Sequence, residues 1–180
     1  MPADMKETIA RAALTLLFER HVKKLTVKDI VEQCHITRQA FYYHFEDIPE
    51  LFRWMMEQLT QQLIEEALSK GNAEEGLRCF FVMAAQTNPY VKRGMDSNYR
   101  TELEQLLREF IGQFFAALAE SQDYCRRCSA AEAKFRFRYH TLAVLGLLQE
   151  WTDRDTEKLD EIVSMVCRLM QETPAPPAEG

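Results

Sequence analysis

Glycine and proline are scarce in this 180-residue chain, six of each, and three of the prolines fall in the last stretch, PAPPAEG. With so little glycine there is no Walker loop, Rossmann glycine pattern or GxSxG, and no HExxH occurs either, so a nucleotide enzyme or hydrolase built on one of these motifs is excluded. The four histidines, His21, His35, His44 and His140, are scattered, and none has a sequence-local nucleophile with a supporting carboxylate. No catalytic residue and no cofactor is expected. There is no run of eighteen apolar residues, and the start MPADMKET lacks an apolar signal core, so the expectation is a cytoplasmic protein without a membrane span.

Cysteine is present but does not add up to a framework. Five residues, an odd number, argue against a structural disulfide set in a cytoplasmic chain. Cys125 and Cys128 have redox or metal spacing, and Arg126 and Arg127 between them favour the thiolate. A zinc site needs two more ligands, which no second pair or nearby HxxxH supplies, so no metal is expected. Redox sensing by this pair is the remaining chemical reading. Cys34 and Cys167 lie on apolar faces of expected helices and read as core.

Positive charge is also short, with a net charge of −6 and a pI near 5.3. The deficit is unevenly placed. Residues 1–53 hold eight Lys or Arg against eight Asp or Glu, so the acidity belongs to the rest. Between Arg20 and Tyr43 five basic residues face two acidic ones, a local excess of +3. A field this modest predicts anion binding that falls quickly with salt and little non-specific affinity.

What is abundant is helix-forming sequence. Hydrophobic residues make up 47% of the chain, and Leu, Ala, Glu and Arg dominate, which predicts an all-α protein of about nine helices with a sizeable core. The periodicity predicts a first helix from Asp4 to Arg20 and a fourth from about Asp47 to Lys70, with Pro49 tolerated in its first turn. A further stretch runs from Glu74 to Thr87, broken at Asn88-Pro89, and a short irregular helix follows over Tyr90–Asp96. Ser97 is read as the cap of a long helix reaching Ser121, and Ser129 as the start of the eighth. The ninth is expected from Asp155 to Glu172. The domain reading is a head over 1–47, a regulatory and dimerisation body over 48–172 and a disordered tail over 173–180.

The segment TVKDIVEQCHITRQAFYYHF, Thr26 to Phe45, is the most specific. Thr26 with Asp29 three residues later is a capping-box variant, and Val27, Ile30, Val31 and Cys34 give the following helix one apolar face. His35 and Ile36 break the pattern, and Thr37 is a second cap. The next helix buries Ala40, Phe41 and Phe45 and exposes Arg38, Gln39, Tyr42 and Tyr43. Arg can hold guanine and Gln adenine with paired hydrogen bonds in the major groove, while Tyr and Thr hydroxyls suit phosphate oxygens. Two helices on a tight turn with that outer face read as a helix-turn-helix for double-stranded DNA.

At these residues the sequence resembles the TetR family of bacterial transcription regulators. LTVKDIVEQCHITRQAFYYHFEDIPEL, with Tyr42 and Phe45 in Tyr-x-x-Phe spacing, is similar to that family's DNA-binding signature, and FYYHFEDIPELFRWM resembles the branch containing regulators of dihydroxyacetone-kinase operons. The resemblance implies phosphate contacts by Thr26 and Lys28, the second sometimes reaching a base. It implies a cap at Thr37, base readers at Arg38 and Gln39, and phosphate or groove contacts by Tyr42, Tyr43 and His44. One position departs: the family's usual Lys, three residues after the Phe, is Ile48 here. The resemblance further implies a repressor released by a small effector. Its branch includes co-activators that answer to a partner protein, so a helical interaction module with weak DNA binding is the alternative.

The last two helices carry more apolar surface than one small body can cover, above all over Leu142 to Leu148, and predict a homodimer through a four-helix interface. Two heads about 35 Å apart would then demand a pseudo-palindromic operator. An effector cavity, implied by the resemblance, draws its candidates from the aromatic-rich and Met-rich body: Trp54, Phe80, Met83, Tyr90, Tyr99, Phe110, Phe114, Tyr139 and His140. Such a pocket would be mostly apolar, with Tyr90, Tyr99 and His140 as polar anchors for a small ligand.

Overall fold

The structure, a computed structural model, describes residues 4–20, 22, 24–121 and 129–171, with the backbone alone at Phe18. The pair Cys125 and Cys128, His21, Lys23 and the tail from Glu172 onward lie outside the described residues. All regular structure among them is helical. α1 spans Met5–Leu14 and ends in a π-helical turn, Thr15–Glu19; α2 is Val27–Cys34, α3 Arg38–His44, α4 Ile48–Ser69 and α5 Ala73–Met95. α6 is Arg100–Ser121, α7 Ala130–Gln149, α8 Asp153–Glu157 and α9 Leu159–Gln171.

Most of these helices begin where a side-chain oxygen accepts from one of the free first-turn amides. Asp4, Thr26, Thr37, Asp47, Asn72, Ser129 and Thr152 do this for α1, α2, α3, α4, α5, α7 and α8. Pro49 sits in the first turn of α4, where its missing N–H costs nothing.

Three expectations for the body change. Pro89 does not break the chain into two helices: α5 runs through it. Thr87, two residues earlier, turns its hydroxyl back onto the carbonyls of Met83 and Ala84 at 2.8 and 3.3 Å. Ser97 is not the cap of α6. Its hydroxyl donates to the Gly94 carbonyl at 2.6 Å and accepts from the Tyr99 N–H at 3.2 Å, so it closes α5 and shapes the turn into α6. The expected ninth helix is two elements, because a Thr152–Asp155 capping box starts α8 as a separate short turn. Lys158 ends it before Leu159 begins α9.

Packing divides into two cores. The body core stacks Phe80 against Phe114 at 4.8 Å and against Phe110 at 6.0 Å, with Phe81 stacked on Trp151 at 5.7 Å. α9 closes it with Val163, Val166, Cys167 and Met170. Arg78–Asp160 at 2.9 Å and a hydrogen bond from Ser164 to Glu74 hold α9 to α5 from outside. The head core contains Ile9, Leu16, Ile30, Phe41 and Phe45, but also Leu51 and Phe52 of α4 and Leu106 of α6. Residues on both sides of position 47 therefore share one core.

On the far side, α7 and α9 leave apolar side chains in the open. Phe135 is 69% exposed and Leu169 61%, and Tyr139, Leu142, Leu147 and Met165 join them. Among the described residues no helix is long and apolar enough to cross a membrane. A proline inside a helix costs about 3 kcal/mol or more, so Pro89→Ala is expected to raise stability by about 1–3 kcal/mol, read from the urea midpoint of the full chain. A lowered midpoint would mean that the packing of α5 needs the irregular turn.

Candidate nucleic-acid interface

The reading surface is set by the turn between α2 and α3. Thr26 accepts from the Asp29 N–H at 3.3 Å, and the Asp29 carboxylate accepts from the Thr26 N–H at 3.1 Å. The same carboxylate also takes the Thr26 hydroxyl proton, at 2.6 Å. α2 ends at His35, which adopts a left-handed φ of 57°, while Ile36 N–H reaches back to the Val31 carbonyl at 3.0 Å. That pair of features turns the chain within two residues. Thr37 then caps α3 by accepting from the Ala40 N–H at 3.1 Å.

α3 is held from behind by rings. Phe41 and Phe45 are fully buried, their centroids 6.0 Å apart, and Trp54 of α4 meets Phe45 edge-on at 5.9 Å. The Lys6 ammonium stands 5.1 Å from the Phe45 ring and 5.8 Å from the Trp54 ring, adding a cation–π contact between α1 and this cluster. Each buried Phe contributes about 1.5–3 kcal/mol by burial, which fixes the direction in which the opposite face points.

That opposite face carries Thr37, Arg38, Gln39, Tyr42 and Tyr43, all exposed, Tyr43 at 84%; His44 is half-buried. Arg38 and Gln39 make no hydrogen bond or ion pair with another described residue, so their donors are unspent. Tyr42 leans edge-on against Phe41 at 5.5 Å and Tyr43 against His44 at 5.1 Å, which orders the rings and leaves the hydroxyls outward. Lys28, exposed, stands 3.8 Å from Glu32. Of the eight expected DNA residues, Arg38, Gln39, Tyr42 and Tyr43 stand exposed on α3, the Thr37 oxygen is engaged in the cap, Lys28 faces Glu32 and His44 is half-buried. Thr26, with its hydroxyl given to Asp29, contributes the helix start that places Lys28.

Beside this face lies a cleft of about 530 Å³ between head and body. Lys24, Lys28, Arg38 and Tyr42 line it from the head, and Asn98 and Tyr99 from the turn before α6. Ile48, 2% exposed, also borders it, its side chain built into the head core. Burial pushes the Tyr99 hydroxyl above the usual tyrosine range, with a hydrogen bond to Asn98 pulling the other way. Burial likewise raises the Cys34 thiol, whose sulfur faces the Thr8 carbonyl at 3.9 Å.

The nine candidates for an effector cavity do not surround one space. Trp54 and Tyr99 pack against the head core. Phe80, Phe110 and Phe114 fill the body core with one another, and Met83 packs on it. Tyr90 and Tyr139 are exposed. His140 is half-buried on α7, its pKa lowered by burial and then by Arg136. Lys24 entered the sequence reading only as one of the five basic residues between Arg20 and Tyr43. Asn98 did not enter it, because it acts across 73 positions of sequence, accepting from the Leu25 N–H at 3.1 Å.

An exposed, internally braced α3 following a capped α2 across a left-handed turn defines a helix-turn-helix head on an all-helical body. A family model described as bacterial regulatory proteins, tetR family, matches residues 9–55, and one described as transcriptional regulator C-terminal region matches residues 71–172. The chain belongs to the TetR family. A curated relative, the probable acrEF/envCD operon repressor of Escherichia coli (strain K12), is 31% identical over 68 residues, 37% of this chain and 31% of that protein. The match thus spans about a third of the curated relative's length. Among solved structures, the dihydroxyacetone kinase operon activator DhaS superposes with a TM-score of 0.63 at 18% identity, covering 92% of this chain and 93% of that one. Thermus thermophilus FadR, a TetR family transcriptional repressor in complex with lauroyl-CoA, does so with a TM-score of 0.56 at 24% identity, covering 97% and 99%. At these identities both superpositions speak for the fold alone.

The capping box supplies a direct check. Thr26→Ala removes the hydroxyl that accepts from the Asp29 N–H and donates to the Asp29 carboxylate, leaving only the backbone N–H on that carboxylate, and is expected to lower stability by about 1 kcal/mol. The urea midpoint of the full chain measures it; an unchanged midpoint would mean that packing of α2, not its cap, holds the helix start.

Proposed function

We propose that this protein is a sequence-specific transcription regulator that binds double-stranded DNA as a homodimer in the bacterial cytoplasm. The observation that carries the reading is the set of unspent donors on α3: Arg38 and Gln39 have no internal partners and stand on a braced helix with its outer face clear. In this reading Arg38 and Gln39 meet base edges, while Thr37, Tyr42, Tyr43, His44 and Lys28 meet the phosphate backbone.

Dimerisation is supported by the apolar stripe Phe135, Tyr139, Leu142 on α7 and by Met165 and Leu169 on α9. Pairing these helices with their copies covers that surface and sets the two α3 helices on one face, as a pseudo-palindromic operator requires. α4 is the lever of the switch. Its first turns, Ile48, Leu51 and Phe52, belong to the head core, and Leu63 and Ala67 belong to the body core. An effector acts by preferring one spacing of the heads, and shifts the balance only by its differential affinity for the two states.

The effector of this reading is a small apolar ligand taken up in the body, where opening the Phe80, Phe110 and Phe114 cluster makes room. The FadR neighbour is in complex with lauroyl-CoA, whose acyl chain is apolar and whose CoA part is large and anionic. A partner protein as the signal is the second reading, favoured by the neutral head and by Ile48 standing where a phosphate-binding cation would serve. Repression is the primary expectation for the sign of regulation.

Selection of genomic fragments on the purified protein tests the function, with one enriched palindrome expected; no enrichment at low salt would favour the protein-controlled module. With the selected duplex, Tyr42→Phe is expected to weaken binding to all sequences alike, and Arg38→Ala to relax base preference by about 1–3 kcal/mol. Equal, sequence-blind losses from both would overturn the assignment of readers and positioners. Leu169→Glu, which places a charge in the proposed interface, is expected to shift the sedimentation of the protein from dimer to monomer at micromolar concentration. A wild type that is already monomeric there would remove the dimer.

A further inference from the structure

The cleft beside α3 holds positive charge that the reading of α3 does not use. Lys24 lies on the segment leading into α2 and lines this cleft together with Lys28, Arg38 and Tyr42. Lys28 is loosely paired with Glu32 at 3.8 Å, an exposed contact of small energy. Lys24 and Arg38 pair with no described residue. The first residues of α2, Val27 and Lys28, border the same space, so the positive end of that helix adds to the field. Glu46 and Asp47 stand on the α4 side, where the Asp47 carboxylate is engaged by the Glu50 N–H at 2.8 Å. The cleft is therefore polarised, positive toward Lys24 and negative toward the start of α4.

The main chain just after Lys24 is fastened to the body. Leu25 N–H donates to Asn98 Oδ1 at 3.1 Å, Leu25 itself is buried, and Tyr99 follows Asn98 in the turn before α6. Tyr99 in turn meets Phe52 of α4 edge-on at 5.7 Å. A residue of the body thus fixes the backbone that carries a cation of the head.

We infer that the cleft seats a backbone phosphate of the bound DNA, that Lys24 donates to it, and that Asn98 is the positioning residue that sets where Lys24 stands. The inference rests on the DNA-binding reading above. Arg38 and Tyr42 of α3 line this cleft, so a polyanion lying along α3 passes its mouth, and a space of about 530 Å³ is larger than one phosphate group. Lys24 on the α2 side supplies the cation that Ile48 on the α4 side does not. Because Asn98 begins the turn into α6, a shift of α6 relative to the head displaces Lys24 and weakens the contact without touching the base readers. The body thereby acts on affinity through a phosphate as well as through the spacing of the two heads.

The test is the salt dependence of binding to a fluorescent duplex, either the selected operator or a random sequence at low salt, for wild type, Lys24→Gln, Asn98→Ala, the double variant and Lys70→Gln as a remote charge control. Loss of one phosphate contact in each subunit lowers the slope of log K against log salt by about 0.9 per subunit. Lys24→Gln is expected to show that drop with an unchanged thermal midpoint, and Lys70→Gln to show none. Asn98→Ala is expected to weaken binding in the wild-type background and to have little further effect in the Lys24→Gln background. A merely structural Asn98 would instead give additive losses. If wild type binds and Lys24→Gln keeps its full slope, Lys24 faces solvent and the inference is overturned; if wild type binds no duplex, the regulator reading itself falls. Titration with inorganic phosphate alone forms the last arm. Heat that disappears in Lys24→Gln while the DNA slope is unchanged would assign the cleft to a small phosphorylated ligand and overturn the DNA assignment.

Discussion

The structure depends on one shared core: the DNA-reading head is not closed by its own three helices. Leu51 and Phe52 of α4 and Leu106 of α6 are as deeply buried among Ile9, Leu16, Ile30 and Phe41 as the head's own residues. A helix-turn-helix of this length buries too small a share of its surface to be robust alone, so borrowing three large side chains is a source of stability. It is also the route of coupling. A rearrangement of the body that moves α4 or α6 must either carry the head with it or open a hydrophobic core, and close-packed cores resist opening.

Polar contacts tie α6 to α4, and the turn before α6 to the head. Arg53 of α4 bonds Glu109 of α6 at 2.9 Å on the surface, and the Glu109 carboxyl is held below its usual range by hydrogen bonds from Gln105 first and Arg53 second. That pair is exposed and contributes little to stability. The bond from Leu25 to Asn98 is different in kind, because it satisfies a backbone amide of a buried residue at the entrance to α2. An unmade bond there would cost about 1–3 kcal/mol, so the loop before α2 follows the body's turn.

Much of this was legible in the residues, and the failures share a cause. The helix-turn-helix follows from local rules: Thr26 with Asp29 and Thr37 are caps that act within three residues, and the Phe41–Phe45 spacing sets a buried face regardless of what lies behind it. The starts of α4 and α7 were local in the same way, at Asp47 and Ser129. Pro89 misled because the preference for a break is also local, whereas α5 is packed on both sides of it, through Ala73 to Ala84 and again at Gly94, with Pro89 itself exposed. Ser97 misled because a serine before a helical pattern has two possible clients, the helix ahead and the one behind, and spacing does not say which. Lys24 and Asn98 were invisible as a unit because they meet only through the tertiary fold. The aromatic candidates in the body were recognised as ring-rich helices, but whether rings enclose a space or fill it is a matter of packing, and here Phe80, Phe110 and Phe114 lie against one another.

Ile48 links these lessons to the charge of the chain. At the first residue of α4 its side chain is wholly inside the head core, so this position adds to cohesion between head and lever and gives nothing to a phosphate. The adjacent Glu46 and Asp47 make that side of the cleft negative. A strand of DNA meeting this surface is pushed from the α4 side toward the α2 side, where Lys24, Lys28 and Arg38 stand. Of the five basic residues over Arg20 to Tyr43, Lys24, Lys28 and Arg38 line the same cleft beside the reading helix. A protein of net charge −6 approaches a polyanion productively only in the orientation that presents that side, and the acidic body disfavours the others.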